Sequence, residues 1–176
     1  DRAVASFRRR FPAPGGLLYD VVDAPAPAYP RGGGPHHDDD QLRPNQLLAC
    51  SLPYAPMTAE ARVLRTIGAR LLTPLGLRTL APGLPDYTGS HRGGPAQRDR
   101  AYHQGTVWPW LLGPWVDAHV RADLPMMDVF TGIDSHLGEF GLGSVSETAD
   151  GSAPHLATGC PFQAWSVGEV LRARGK

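Results

Sequence analysis

Cysteine is almost missing from this chain, with Cys50 and Cys160 the two copies in 176 residues. Two thiols so far apart exclude a disulfide scaffold or a cysteine-rich metal framework. Each lies beside a predicted helix among apolar neighbours, so both read as buried thiols of a reducing compartment, consistent with a cytoplasmic protein. Net charge is missing as well: 17 basic residues face 17 acidic ones. That balance removes the long-range attraction for nucleic acid or an anionic membrane and favours a neutral ligand. No stretch approaches the roughly 18 uninterrupted apolar residues of a membrane span. The opening run from Asp1 to Phe11 lacks the apolar segment of a signal peptide and reads as the end of a helix. Strand-like alternation is also absent, which argues against a sheet architecture.

What the chain does carry is concentrated between residues 102 and 110, Tyr-His-Gln-Gly-Thr-Val-Trp-Pro-Trp. A pyranose offers apolar C–H faces that stack on indoles and a rim of hydroxyls that need donors and acceptors. Tryptophan mixed with histidine and glutamine therefore suits a sugar; a core tryptophan cluster at a helix start is the plainer alternative. Residues 24 to 41, rich in Pro, Gly, His and Asp, have little to bury and read as a flexible surface insertion. Their His36-His37-Asp38-Asp39-Asp40 run holds metal-ligand chemistry, but adjacent residues of a flexible loop point in different directions, and no metal or other cofactor is expected. The triplet Arg8-Arg9-Arg10 reads as a solvated helix end favoured by the helix dipole.

Elsewhere the periodicity is helical. A helix is expected from about Arg43 to Ser51, with Pro44 in its first turn. Another is expected from a Thr58 cap to Leu72, with Val63, Leu64, Ile67 and Leu71 on one stripe. Leu77 to Leu80 suits a short strand, and Ala81 to Arg100 a Gly/Pro-rich loop long enough to suggest function. Helices follow over about Val107 to Arg121, Pro125 to Phe140 and Gln163 to Arg174, the last with Trp165, Val167, Val170 and Leu171 as packing residues.

Leu18-Tyr19-Asp20-Val21-Val22-Asp23, Leu42-Arg43-Pro44-Asn45-Gln46, the run from Leu71 to Leu80, the run from Arg98 to Pro114, Gly143-Ser144-Val145-Ser146-Glu147 and Ala164-Trp165-Ser166-Val167 occur in one order along nearly the whole chain. Together they resemble the C-terminal glucosidase domain of the glycogen debranching enzymes. The resemblance implies an all-α fold, an (α/α)6 toroid of which residues 1–176 form the C-terminal portion. It also implies hydrolysis of α-1,6-linked glucose at branch points of glycogen or a limit dextrin, with inversion and no metal. Inverting hydrolysis needs one carboxylic acid to protonate the leaving oxygen and one carboxylate, roughly 6.5–9.5 Å away, to activate water on the opposite face.

By the motif it occupies, Glu147 is the implied general base, and Gly141, Gly143 and Gly151 suit its presentation on a loop. Thr148 and Ala149 depart from the Ile and Phe usual in the family after that glutamate. The general acid is implied to be an aspartate upstream of this chain. His103 and Gln104 are candidates for hydroxyl binding and Trp108 and Trp110 for aromatic walls, although two tryptophans two positions apart on a helix cannot both face one sugar equally. Arg43, Asn45 and Gln46 are candidate sugar-binding groups at another helix start; a network tying helices together is the competing reading for Arg43. The expected partner is glycogen or a branched α-glucan, with no nucleic acid and no membrane. A related toroidal glycosidase of glucoamylase-like or trehalase-like specificity, or a non-catalytic carbohydrate-binding fragment, are the alternatives.

Overall fold

The computed structural model describes residues 2–24 and 37–176. In chain order the elements are α1 (Arg2–Arg10), β1 (Val21–Ala24), β2 (His37–Asp39), α2 (Leu48–Ser51), α3 (Ala61–Leu71), β3 (Leu72–Thr73), β4 (Gly76–Arg78), α4 (Pro95–Ala101), β5 (Val107–Trp108), α5 (Leu112–Arg121), α6 (Thr131–His136), β6 (Thr148–Ala149), β7 (Ala157–Thr158) and α7 (Ala164–Arg174). Single 3-10 turns at Pro44–Leu47 and Pro109–Leu111 lead into α2 and α5. Each has proline in its first turn, where the missing N–H costs nothing.

The expected all-α (α/α)6 toroid is overturned. β3, β4, β5, β6 and β7 pair in that order into one antiparallel sheet, and β1 pairs with β2 in a second. Strands of two to four residues are too short to display an alternation of period two, so the pattern that would have announced them does not exist in the sequence. The 3.6-residue stripes of the helices are long enough to read, and they agree with the toroid that the resemblance implies without excluding a sheet between them. The β3–β4 hairpin turns through Thr73-Pro74-Leu75-Gly76, where the Thr73 hydroxyl donates to the Gly76 carbonyl at 2.9 Å. Gly76 takes φ +143, and a Cβ there would meet the Trp108 carbonyl oxygen at 2.5 Å, so this turn needs glycine.

The core lies where helices meet this sheet. Leu64, Ile67 and Leu71 of α3 share one buried cluster with Leu77, Val107, Leu112 and Val116, all nearly or fully sequestered. Burial of each such side chain stabilises the fold by about 1.5–3 kcal/mol before entropy is counted.

Several boundaries differ from expectation. Thr58 does not cap α3; Glu60 stands at the cap position, and its carbonyl receives the Val63 and Leu64 N–H groups. Val107 and Trp108 are strand rather than helix, and α5 starts only after the turn at Pro109. Between Pro125 and Phe140 only Thr131–His136 is α-helical, because Asp128 accepts hydrogen bonds from the Phe130 N–H and the Thr131 hydroxyl and fixes the start there. Ala24 is a buried strand end, and His37–Asp39 pair with β1, so the ends of the proposed flexible insertion are ordered; its residues 25–36, His36 included, lie outside the described residues. Cys50 is buried as expected, whereas Cys160 is exposed. Val170 packs inward, but Leu171 and Trp165 are exposed.

Candidate active site

β6 and β7 run antiparallel, with Thr148 opposite Thr158. One residue further out the ladder continues, as the Glu147 N–H donates to the Cys160 carbonyl at 2.8 Å. Glu147 thus lies in the bend just before β6 and is tied to the chain just beyond β7. Its carboxylate is held at both oxygens: the Tyr102 hydroxyl donates to Oε1, and the Cys160 backbone N–H donates to Oε2 at 3.0 Å. Gly159, at φ +71, lies against it; a Cβ there would come within 2.5 Å of Oε2. Behind Glu147, the buried His136 accepts the Ser146 N–H on Nε2 at 3.1 Å, tying α6 to the base of the strand.

Glu147 opens onto a cavity of about 570 Å³ that is also walled by His91, Arg98, Asp99 and Tyr102. His91 comes from the long Ala81 to Arg100 segment. Its backbone N–H donates to Asp150 Oδ1 at 2.8 Å, and its Nδ1 lies 3.1 Å and 3.3 Å from the Thr158 and Thr148 hydroxyls. Asp150 is completed by Arg92 at 2.9 Å. Burial lowers the His91 pKa, with Glu147 and Asp150 pulling the other way, so the ring is a neutral hydrogen-bonding group at pH 7. Burial first and the bond to Glu147 second push the Tyr102 phenol up to about 12, so it remains a donor across the neutral range.

The nonapeptide forms a second, adjoining surface. Tyr102 packs edge-on to His103 and Trp108, with centroids 4.9 and 4.7 Å away, while His103 and Trp108 stack at 5.6 Å with 7° between planes. His103, Trp108, Trp110 and Asn45 share a smaller cavity of about 180 Å³ with the Trp165 ring, which stacks on Trp110 at 4.2 Å. The aromatic candidates therefore gather beside the Glu147 cavity, linked to it through Tyr102. Trp108 is nearly buried, and its indole N–H donates to the Tyr102 carbonyl, so it supports the wall more than it forms it.

Arg43, Gln46 and Gln104 are engaged with the scaffold. Arg43 donates to the carbonyls of Thr79 at 3.1 Å and His103 at 2.6 Å and to the side-chain oxygens of Gln41 at 3.1 Å and Gln104 at 2.8 Å. Gln46 donates to the Arg43 carbonyl, and Asn45 donates to Asp20 at 2.7 Å. Burial raises the Asp20 pKa against the opposing pull of Asn45 and Arg43. Asp38 and Asp39 spend carboxylate oxygens on the backbone N–H groups of Asp23 and Gln41, and among the described residues no three His, Cys, Asp or Glu groups are placed to share a metal ion. Tyr102 and His91 are the neighbours of Glu147 that motif reading did not single out. Their signals were present, Tyr102 within the nonapeptide and His91 within a loop long enough to suggest function.

A carboxylate and a neutral imidazole on one open cavity, with indole faces lining the cavity beside it, combine polar groups with apolar surface as ligand pockets do. The pattern of the amylo-alpha-1,6-glucosidase family matches residues 1–172, and the chain belongs to that family. It is also similar to the glycogen debranching enzyme of Saccharomyces cerevisiae, 34% identical over a match 93 residues long that covers 48% of this chain and 6% of that relative. The chain thus spans a small part of that relative's length. No helix among the described residues is long and apolar enough to cross a membrane.

Proposed function

We propose that this chain supplies the base side of an inverting glycoside hydrolase site acting on α-1,6-linked glucose at branch points of glycogen or a limit dextrin. The observation that carries the reading is Glu147, a carboxylate fixed at both oxygens on the wall of a cavity large enough for a sugar ring. In the reaction, Glu147 accepts a proton from water as the water oxygen bonds to the anomeric carbon. The glycosidic bond breaks on the opposite face, and the departing oxygen takes a proton from a second carboxyl group, which in this reading is an aspartate outside these residues. His91 and His103 bind sugar hydroxyls, and Trp110, with Trp108 behind the wall, forms an apolar side for the ring or its neighbour.

Replacing Glu147 with Gln in the full-length protein keeps shape and removes the proton acceptor. Hydrolysis of a branched oligosaccharide is expected to fall by about 10² to 10⁴, with little change in substrate affinity. In Glu147→Ala, azide needs no base and is expected to restore turnover of an activated α-glucoside, giving the β-glucosyl azide. Near-normal hydrolysis in the glutamine variant would refute the assignment, and an α-glucosyl azide would refute single inversion. Comparing branched with linear substrates tests the linkage.

A further inference from the structure

A glutamate just before a strand has three side-chain torsions, and an unrestrained carboxylate samples orientations in which neither oxygen faces the attacking water. Here the Cys160 N–H fixes Oε2, and that donor is itself fixed because the same two residues exchange the reverse backbone bond. The second oxygen is held from a different part of the chain, 45 residues away, by the Tyr102 hydroxyl. We propose that Tyr102 is a positioning residue that orients the Glu147 carboxylate toward the attacking water, an inference that rests on Glu147 acting as the base.

Tyr102 is built to hold a position. It follows α4, whose last residue Ala101 is fully buried and gives its carbonyl to the Thr106 hydroxyl at 2.8 Å. The Tyr102 carbonyl receives the Trp108 indole N–H at 3.0 Å, so backbone and ring are both pinned to β5. His91 closes the other side, its ring centroid 5.2 Å away. The phenol therefore reaches Glu147 as a rigid arm anchored in the sheet, and its high pKa keeps its proton on it while the carboxylate works. One lone pair of Oε1 is taken by this bond, and the other remains for water. A donor to a carboxylate also makes it a weaker base, so such a contact is useful only if orientation is worth more than basicity.

The alternative is that Tyr102 only walls the cavity and touches sugar. The two roles separate in a double-mutant cycle on the full-length protein. Tyr102→Phe keeps every ring contact and removes the hydroxyl. With Glu147 present, kcat on a branched α-1,6-glucosyl oligosaccharide is expected to fall about 10-fold with KM within about twofold, the signature of lost orientation. The cycle is closed with α-glucosyl fluoride in all four proteins so that the residual rates are measurable: Tyr102→Phe is expected to lower its turnover about 10-fold with Glu147 present and to change nothing further in a Glu147→Gln background. An equal loss in both backgrounds would overturn the inference, whether it came from a sugar contact or from a folding defect. An unchanged kcat in Tyr102→Phe, or a raised KM alone, would overturn it as well. Wild-type turnover in Glu147→Gln would instead remove the base assignment, and the inference with it.

Discussion

Gly159 shows how tightly the candidate base is packed. At φ +71 it occupies the left-handed region, and its missing side chain leaves the room that Glu147 Oε2 and the Thr148 hydroxyl occupy, 2.5 and 2.7 Å from where a Cβ would stand. Gly159→Ala is expected to push the carboxylate off its Cys160 N–H and to reduce kcat more than it reduces stability. Steady-state kinetics together with thermal melting would check this, and an alanine variant of full activity would show that the Gly159 side of Glu147 is slack. Little of this was legible in the sequence. The motif ending in Glu147 pointed to a carboxylate with a role, but its two donors come from residues 45 and 13 positions away, and no spacing rule links them. For His91 the loop was legible and the role was not, because its neutral, oriented ring depends on Thr148, Asp150 and Thr158 closing around it.

Helices with a long apolar stripe were legible and short strands were not. α3 lies within its predicted span because Leu64, Ile67 and Leu71 recur at helical spacing, and α7 starts and stops within a residue of expectation. β5, β6 and β7 are two residues each, and they exist only because segments from residues 76 to 158 meet; nothing local in Val107-Trp108 or Thr148-Ala149 demands a strand. Arg43 belongs to the same category. It joins the turn before α2 to the end of β4 and to the His103-Gln104 loop, across 36 to 61 residues. Its planar fork serves four acceptors at once, which a lysine ammonium cannot do. Arg43→Lys is expected to destabilise the protein by about 1–2 kcal/mol, the scale of losing charge-assisted bonds to part-buried acceptors. Denaturant unfolding would measure it, and a loss below about 0.5 kcal/mol would place Arg43 among side chains free to bind ligand.

On the scale of the whole molecule, zero net charge leaves histidine to set the response to mild acid. Burial holds His91, His103 and His136 below the ordinary 6.5, and of these His136 is the most enclosed, its Nε2 accepting the Ser146 N–H while Nδ1 has no hydrogen-bond partner. Glu139, 3.9 Å away and exposed, favours the charged form only weakly. A histidine with a lowered folded pKa is neutral in the native state, whereas the unfolded chain takes up the proton once pH falls below about 6.5. More protons on the unfolded state means that stability declines as pH falls through 6.5 toward the folded values. Asp20 acts with the opposite sign, since its raised pKa lets the native state bind a proton before the unfolded chain does, but only in the acidic range above 3.8. The melting temperature of the full-length protein is therefore expected to drop between pH 7.5 and pH 5.5. His136→Gln should flatten that drop, because an amide oxygen can still accept the Ser146 N–H but does not titrate. The segment carrying Glu147 is tied down by that bond, so activity should fall in the same window and fall less in the glutamine variant. A melting temperature that holds or rises on acidification, or an equal slope in both proteins, would show that His136 does not couple the fold to pH.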